Sequence, residues 1–373
     1  VNDASPLPPP APTRRRLAVV LFQLGGPDRP EAVKPFLVNL FSDPAILRVP
    51  NWLRPWLAKL IAGRRLKPAM ENYAILGGKS PLLELTEQQA RALEGALAGA
   101  AAEVRCFIAM RYWHPFTEEA VAAIKAFGPD EIVALPLYPQ FSTTTTGSSM
   151  TVWREAVAKA GITAPVRTLC CFHSDGAYAA AQGALVARAL DDAQAEVGPE
   201  VGVRILFSAH GLPESIVTDG DPYQWQVEQT VKAVLRAMGR GPLPHTICYQ
   251  SRVTPQKWIG PSTTEAIEDA AEAGEAVLVV PIAFVSEHSE TLVELDVEYR
   301  EEAEEMGIKG YFRAPAPNSD PAFIAALADL VRGVLARPVG LSSFGGPGLC
   351  PGQHRRCPHA TAAATQEKVP ATA

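Results

Sequence analysis

The sequence predicts a two-domain α/β protein in which parallel sheets are covered by helices. Three observations carry this expectation. Short apolar runs alternate with long, alanine-rich amphipathic stretches, the rhythm of successive βαβ units. A length of 373 residues with 47% hydrophobic composition can supply two buried cores. A polar stretch at 191–199 precedes a fresh apolar run and marks a boundary between halves.

In chain order, residues 1–15 read as a disordered leader, because VNDASPLPPPAPTRRR carries charge and prolines but no apolar signal region. The first domain, 16–195, has strand-like runs at 17–22, 104–110, 131–137 and 166–172, with helical patterns at 81–98, 117–127, 147–160 and 176–193. The second, 196–338, has runs at 203–208, 245–249, 277–284 and 310–314, with helical patterns at 223–238, 263–273, 290–306 and 321–335. The last helix is expected to pack back on the first domain, and 339–373 reads as a flexible, cysteine-containing tail. VVLFQLGGPDRP and VRILFSAHGLPES echo one another, as two related halves or two strand-turn units would. Trp52, Leu53, Trp56, Leu57, Leu60 and Ile61 share a helical face beside Arg54, Lys59, Arg64 and Arg65. That face fits either a core-facing helix or a pocket lip resting on a membrane surface.

Composition excludes several functions. A net charge of −6 gives no basic surplus for a nucleic-acid backbone. The apolar runs have strand lengths, far short of the roughly 18 residues a membrane span needs. LGGPD at 24–28 is neither a dinucleotide fingerprint nor a P-loop, so no nucleotide is expected, and no GxSxG elbow marks a serine hydrolase. Six cysteines over this length suit reduced thiols and a cytoplasmic location.

Two segments can carry chemistry. In SAHGLP, His210 follows a buried run and projects from a strand end, where ligands of parallel sheets bind, while Gly211 lets the backbone turn. In SEHSETLVELDVE, Glu287, His288, Glu290, Glu294 and Glu298 follow another buried run. Glu290 and Glu294 are four residues apart and share a helical face, and such stacked charges call for a cation or for proton traffic. Imidazole with carboxylate suits transient Fe(II) or Zn(II), and the spacing matches no common zinc-hydrolase motif.

At these residues the chain resembles the ferrochelatases. LGGPD, RYWHP at 111–115, SAHGLP at 208–213, YQSRVTPQKWIGP at 249–261 and FVSEHSETLVELDVEY at 284–299 look like that family's motifs, in its order, across about 16–338. The resemblance implies two Rossmann-like domains with a porphyrin cleft between them, and insertion of Fe(II) into protoporphyrin IX with release of two protons. It implies His210 and Glu290 as the facing catalytic pair. His288, Glu287, Glu294 and Glu298 would accompany them as metal- or proton-handling groups. Leu24, Arg65, Ser80, Arg111, Tyr112 and Trp258 would line the porphyrin site, with Arg65 and Ser80 at a propionate. Leu24 stands where the eukaryotic-type enzymes often carry methionine. The resemblance also implies a bacterial member with a C-terminal extension that binds a [2Fe-2S] cluster. Cys350 and Cys357 lie in that extension, the family's internal cysteine has no counterpart at 141–145, and Cys170, Cys171 and His359 are the available substitutes. The expected partners are porphyrin and iron, with a homodimer and a peripheral membrane contact left open. Coproporphyrin or cobalt chelation, and a haem carrier without chemistry, are the alternative readings.

Overall fold

The computed structural model describes residues 15–251, 256–345 and 349–360. The elements in order are β1 (Arg16–Gln23), α1 (Val33–Ser42), α2 (Arg54–Ile75), α3 (Leu82–Ala96), β2 (Glu103–Met110), α4 (Thr117–Phe127), β3 (Glu131–Pro136), α5 (Thr146–Ala160), β4 (Val166–Leu169) and α6 (Gly176–Val197). Then follow β5 (Val203–His210), α7 (Glu214–Thr218), α8 (Tyr223–Met238), β6 (His245–Gln250), α9 (Thr263–Glu272) and β7 (Ala276–Pro281). A π-helical segment (Glu290–Glu298) leads into α10 (Tyr299–Glu305), followed by β8 (Tyr311–Arg313), α11 (Pro321–Leu335) and β9 (Gly340–Ser342). Two sheets result, in the orders β2-β1-β3-β4-β9 and β6-β5-β7-β8. Every pairing is parallel.

The continuous apolar character of β1 has a simple cause, since it is buried on both faces. Leu17, Val19 and Leu21 enter a core shared with Phe323, Leu327 and Val331 of α11. Ala18, Val20 and Phe22 enter another beneath α4 and α5, where Trp153 meets Phe22 edge-on. The second sheet repeats the scheme. Ile205 and Phe207 of β5 pack with α6 and α8, whereas Leu206 packs with α9 and α10.

Two helices join the halves. On α6, Tyr178 and Ala181 belong to the first-sheet core while Ala179, Val186 and Leu190 belong to the second. Helix α11 follows the second sheet yet inserts Phe323, Ile324, Leu327 and Val331 into the first-sheet core.

Three local expectations change. Within the tail, Gly340–Ser342 pairs with β4 as a fifth strand, and Cys357 is only 2% exposed. The tail is therefore anchored where it is described, because the edge of β4 offers free backbone groups that a short extended segment satisfies. The helix expected from 290 opens as a π-helix, with Tyr299 N–H donating to Glu294 O, five residues back. Its wider turns, often found at functional sites, displace the carboxylates from α-helical stacking. Finally, the core-facing reading of the tryptophan helix fails: Trp52 is 80% exposed and Trp56 63%. Helix α2 packs on α1 through Ala62 and Tyr73, and the two indoles, one on α2 and one just before it, stay exposed.

Candidate functional site

His210 is the last residue of β5, and its register partner on β6 is Gln250. Its Nδ1 lies 2.7 Å from the carbonyl oxygen of Gly211. A carbonyl can only accept, so Nδ1 carries the proton and Nε2 of the neutral ring keeps a free lone pair. Nε2 stands 3.8 Å from Glu290 Oε1, and both side chains are about one-third exposed. Glu290 Oε2 is buried without a hydrogen-bond partner. Gly211 is required here: a Cβ would meet Gln250 O at 2.8 Å and the Trp258 ring at 3.3 Å. Trp258 thus closes over the turn next to His210, and Pro213 bridges to it.

The acidic series separates into distinct environments. Glu294 receives Gln250 Nε2 at 3.0 Å and Ser251 Oγ at 2.6 Å on one oxygen, and lies 3.4 Å from Tyr299 OH on the other. Burial, then the charge of Glu290, push its carboxyl up to about 7. Glu298 accepts from Asn72 Nδ2 of α2 at 3.1 Å. Glu287 turns elsewhere, accepting Arg313 Nη1 and the Ala316 N–H, each at 2.9 Å. Arg313 also grips Asp296 at 2.6 and 2.8 Å. Glu287 Oε1 is therefore held in a buried ion-pair network, while its Oε2 is buried without a hydrogen-bond partner.

His288 is buried against Phe284, with ring centroids 4.4 Å apart. Burial lowers its pKa despite the charges of Glu290 and Glu287. Its Nδ1 accepts the Thr291 N–H at 3.3 Å, so in the neutral ring Nε2 carries the proton. His210 offers a lone pair and His288 an N–H; the second cannot ligate a metal in that form.

In the first half of the chain, Leu24 packs with Tyr73, Tyr112 and Trp113. Tyr112 is 1% exposed and donates its hydroxyl to Asp43 at 2.8 Å. Arg111 pairs with the same carboxylate at 2.8 Å and donates to Ser148 Oγ at 2.7 Å; Ser148 in turn donates to Asp43. The Arg111–Tyr112 pair is thus fixed by one buried acid. Ser80 is buried beside Gly26, where a Cβ would come within 2.5 Å of it, and its Oγ accepts the Leu82 N–H at 3.3 Å. Arg65 is half-buried on α2.

The tail cysteines meet the internal pair. Cys357 contacts both Cys170 and Cys350, and Cys170 contacts Cys171. No cysteine is in a disulfide. Hydrogen bonds from Cys170 and Cys350, with help from the His359 and Ala360 backbone, hold the Cys357 thiol far below its usual range. His359 lies beside Cys357, and the Nε2 atoms of His359, His173 and His354 are buried without partners. Among the described residues, no three or more His, Cys, Asp or Glu side chains are grouped as a metal-ion site. The thiols contact one another instead. Part of the motif at 249–261, residues 252–255, lies outside the described residues.

Sequence reasoning did not single out four supporting residues. Gln250 and Ser251 hold Glu294, Asp43 holds Arg111 and Tyr112, and Tyr73, pushed up to about 12 by burial, bonds Ser289 next to Glu290. The one signal available was Gln250, a polar residue closing a buried strand. Asp43 and Tyr73 reach the site only through tertiary packing.

The ferrochelatase family model matches residues 16–335. A ferrochelatase of Caulobacter vibrioides is 50% identical over 346 residues, covering 92% of this chain and 97% of that relative. One from Phenylobacterium zucineum is 51% identical over 344 residues, with the same coverage. One from Thermosynechococcus vestitus is 49% identical over 327 residues, covering 86% of this chain and 82% of that relative.

Proposed function

The chain belongs to the ferrochelatase family, and on that premise we propose that it inserts Fe(II) into protoporphyrin IX, the step that yields protohaem. The observation that carries this reading is the His210–Glu290 pair, with a free imidazole lone pair 3.8 Å from a carboxylate. Metallation requires two pyrrole protons to leave and a metal to shed water. His210 Nε2 is an acceptor for one proton, and Glu290 faces it as acceptor or anionic relay. Glu294, poised near neutrality by burial, can take up and release protons beyond Glu290. Glu298, further along the π-helix, extends that acidic path.

Leu24 and Trp258 are the apolar groups offered to a macrocycle, and Arg65 with Ser80 the polar ones offered to a propionate. Arg111 and Tyr112, pinned by Asp43, would form a rigid floor. Glu287 and His288 then serve as supports for the helix start.

The cysteine-lined site fits a [2Fe-2S] cluster. Cys170, Cys171, Cys350 and Cys357 are four soft donors brought together in one chain, and the partnerless buried Nε2 of His359 is a fifth. Such a group supplies one-electron redox chemistry and cross-links its ligands.

The exposed Trp52 and Trp56, beside Lys59 and Arg64, suit a peripheral contact with the membrane surface. No helix among the described residues is long and apolar enough to cross a membrane.

The deciding experiment is anaerobic insertion of Fe(II), Co(II) and Zn(II) into protoporphyrin and coproporphyrin. Fe(II) insertion into protoporphyrin should be fastest. Preference for coproporphyrin, or binding without metallation, would overturn the proposal.

A further inference from the structure

Gln226 lies on the first turn of α8 and is completely buried. Its Oε1 accepts the backbone N–H of Phe141 at 2.7 Å. A backbone N–H can only donate, so this bond settles which end of the amide is oxygen. The NH2 group must then face the other way, and it meets sulfur twice: Cys350 Sγ at 3.2 Å and Cys171 Sγ at 3.7 Å. These sulfurs belong to segments far apart in sequence. A buried amide spends two donors on atoms that accept weakly as thiols but strongly as thiolates.

The surroundings reinforce the placement. Thr230, one turn along α8, donates to the Gln226 carbonyl at 2.9 Å. Asp221, just before the helix, takes the Thr143 N–H at 2.7 Å and Ser142 Oγ at 3.0 Å. The loop at 141–143 is thus tied to the start of α8 by Gln226 and Asp221 together. It holds the amide in one orientation whether or not the sulfurs carry a metal.

We infer that Gln226 is the positioning residue of the sulfur site: its amide joins Cys171 to Cys350 and, by donating to both, raises the reduction potential of the iron–sulfur group they hold. The inference rests on the cluster reading above. Donors to ligand sulfurs stabilise the more negative, reduced state, so their removal shifts the potential downward. It also assigns Cys171, along with Cys170, to the ligand region.

The test uses the full chain purified anaerobically as wild type, Gln226→Leu and Gln226→Glu. Iron and sulfide are counted, and the midpoint potential is read by dye-mediated titration with electron paramagnetic resonance detection. Wild type should hold a cluster. Gln226→Leu, similar in size but without donors, should disfavour reduction by about tenfold, about 59 mV for one electron. Gln226→Glu keeps the acceptor for Phe141 but sets a carboxylate against the sulfurs, and should shift the potential further in the same direction. It carries the test if the leucine variant fails to fold. Superimposable potentials would overturn the role of Gln226 while leaving the cluster intact. Wild-type protein without iron and sulfide would instead remove the cluster reading, and this inference with it.

Discussion

His210 Nε2 and Glu290 Oε1 stand 3.8 Å apart, although one residue ends β5 and the other opens the helix that follows β7. The gap exceeds hydrogen-bond reach, and Glu290 Oε2 has no partner either. Both groups therefore keep unused hydrogen-bonding capacity at the carboxyl edge of the second sheet.

Replacing His210 by Ala should lower Fe(II) insertion by roughly 10²–10⁴-fold, the usual value of a positioned acid–base group. Porphyrin affinity, followed by fluorescence quenching, should change little because Trp258, Leu24 and Arg65 remain. Wild-type rates from the alanine variant under anaerobic conditions would remove His210 from the mechanism.

Gly211→Ala tests the turn rather than the imidazole. The added Cβ meets a backbone oxygen at 2.8 Å, which cannot move without breaking the Gly211 N–H to Gln250 O bond. A stability loss of about 1–3 kcal/mol is expected, from overpacking. Activity should fall with it, since Trp258 and His210 share that turn; denaturant unfolding and initial rates measure the two effects.

For Glu294 the carboxyl is raised from 4.5 to about 7, so the folded protein holds a proton that the unfolded chain releases in that window. Stability therefore falls as pH rises from about 4.5 to 7, and the deficit is complete above 7. Glu294→Gln removes the buried charge. Its stability relative to wild type should improve on going from pH 5 to pH 8, by on the order of 1–3 kcal/mol. A difference independent of pH would show that Glu294 does not titrate in that range.

The βαβ alternation was legible because strands buried on both faces must be continuously apolar, as β1, β3 and β7 are. His210 and the acidic run were legible because polar residues directly after such strands are costly unless used. The π-helical winding at 290 leaves no hydrophobic-period signature strong enough to separate it from an α-helix. Trp52 and Trp56 misled for a related reason, since periodicity locates an apolar face but does not say what covers it. The acceptor at Asp43, remote in sequence from Tyr112 and Ser148, could emerge only from packing.

That exposed face gives its own prediction. Changing Trp52 and Trp56 to Ser should weaken binding to anionic vesicles by roughly tenfold per indole, given about 1.5–3 kcal/mol for burying a large apolar side chain. Insertion into detergent-dispersed porphyrin should be retained. Equal sedimentation of wild type and the double variant with vesicles would show that the face does not touch lipid.

Asp219 is the latch of the tail. Its carboxylate takes Arg355 Nη2 at 3.1 Å and Arg356 Nε at 2.9 Å, and Arg48 from the first half approaches to 3.8 Å. The Arg356 N–H also donates to Gly220 O at 3.1 Å, so the turn after α7 holds the tail by side chain and backbone together. The segment that carries Cys350 and Cys357 is also held by its sulfurs and by His354 against the Trp225 ring. Asp219→Ala should therefore loosen this turn without disturbing β5 or the π-helix. Trypsin should cut at Arg355 and Arg356 faster than in wild type, and iron and sulfide per chain should drop. The latch is electrostatic and partly exposed, so high salt should raise wild-type cleavage towards the variant's rate. Identical cleavage rates at low salt would mean that the backbone bond, the sulfur contacts and the His354 ring contact hold the tail without the latch.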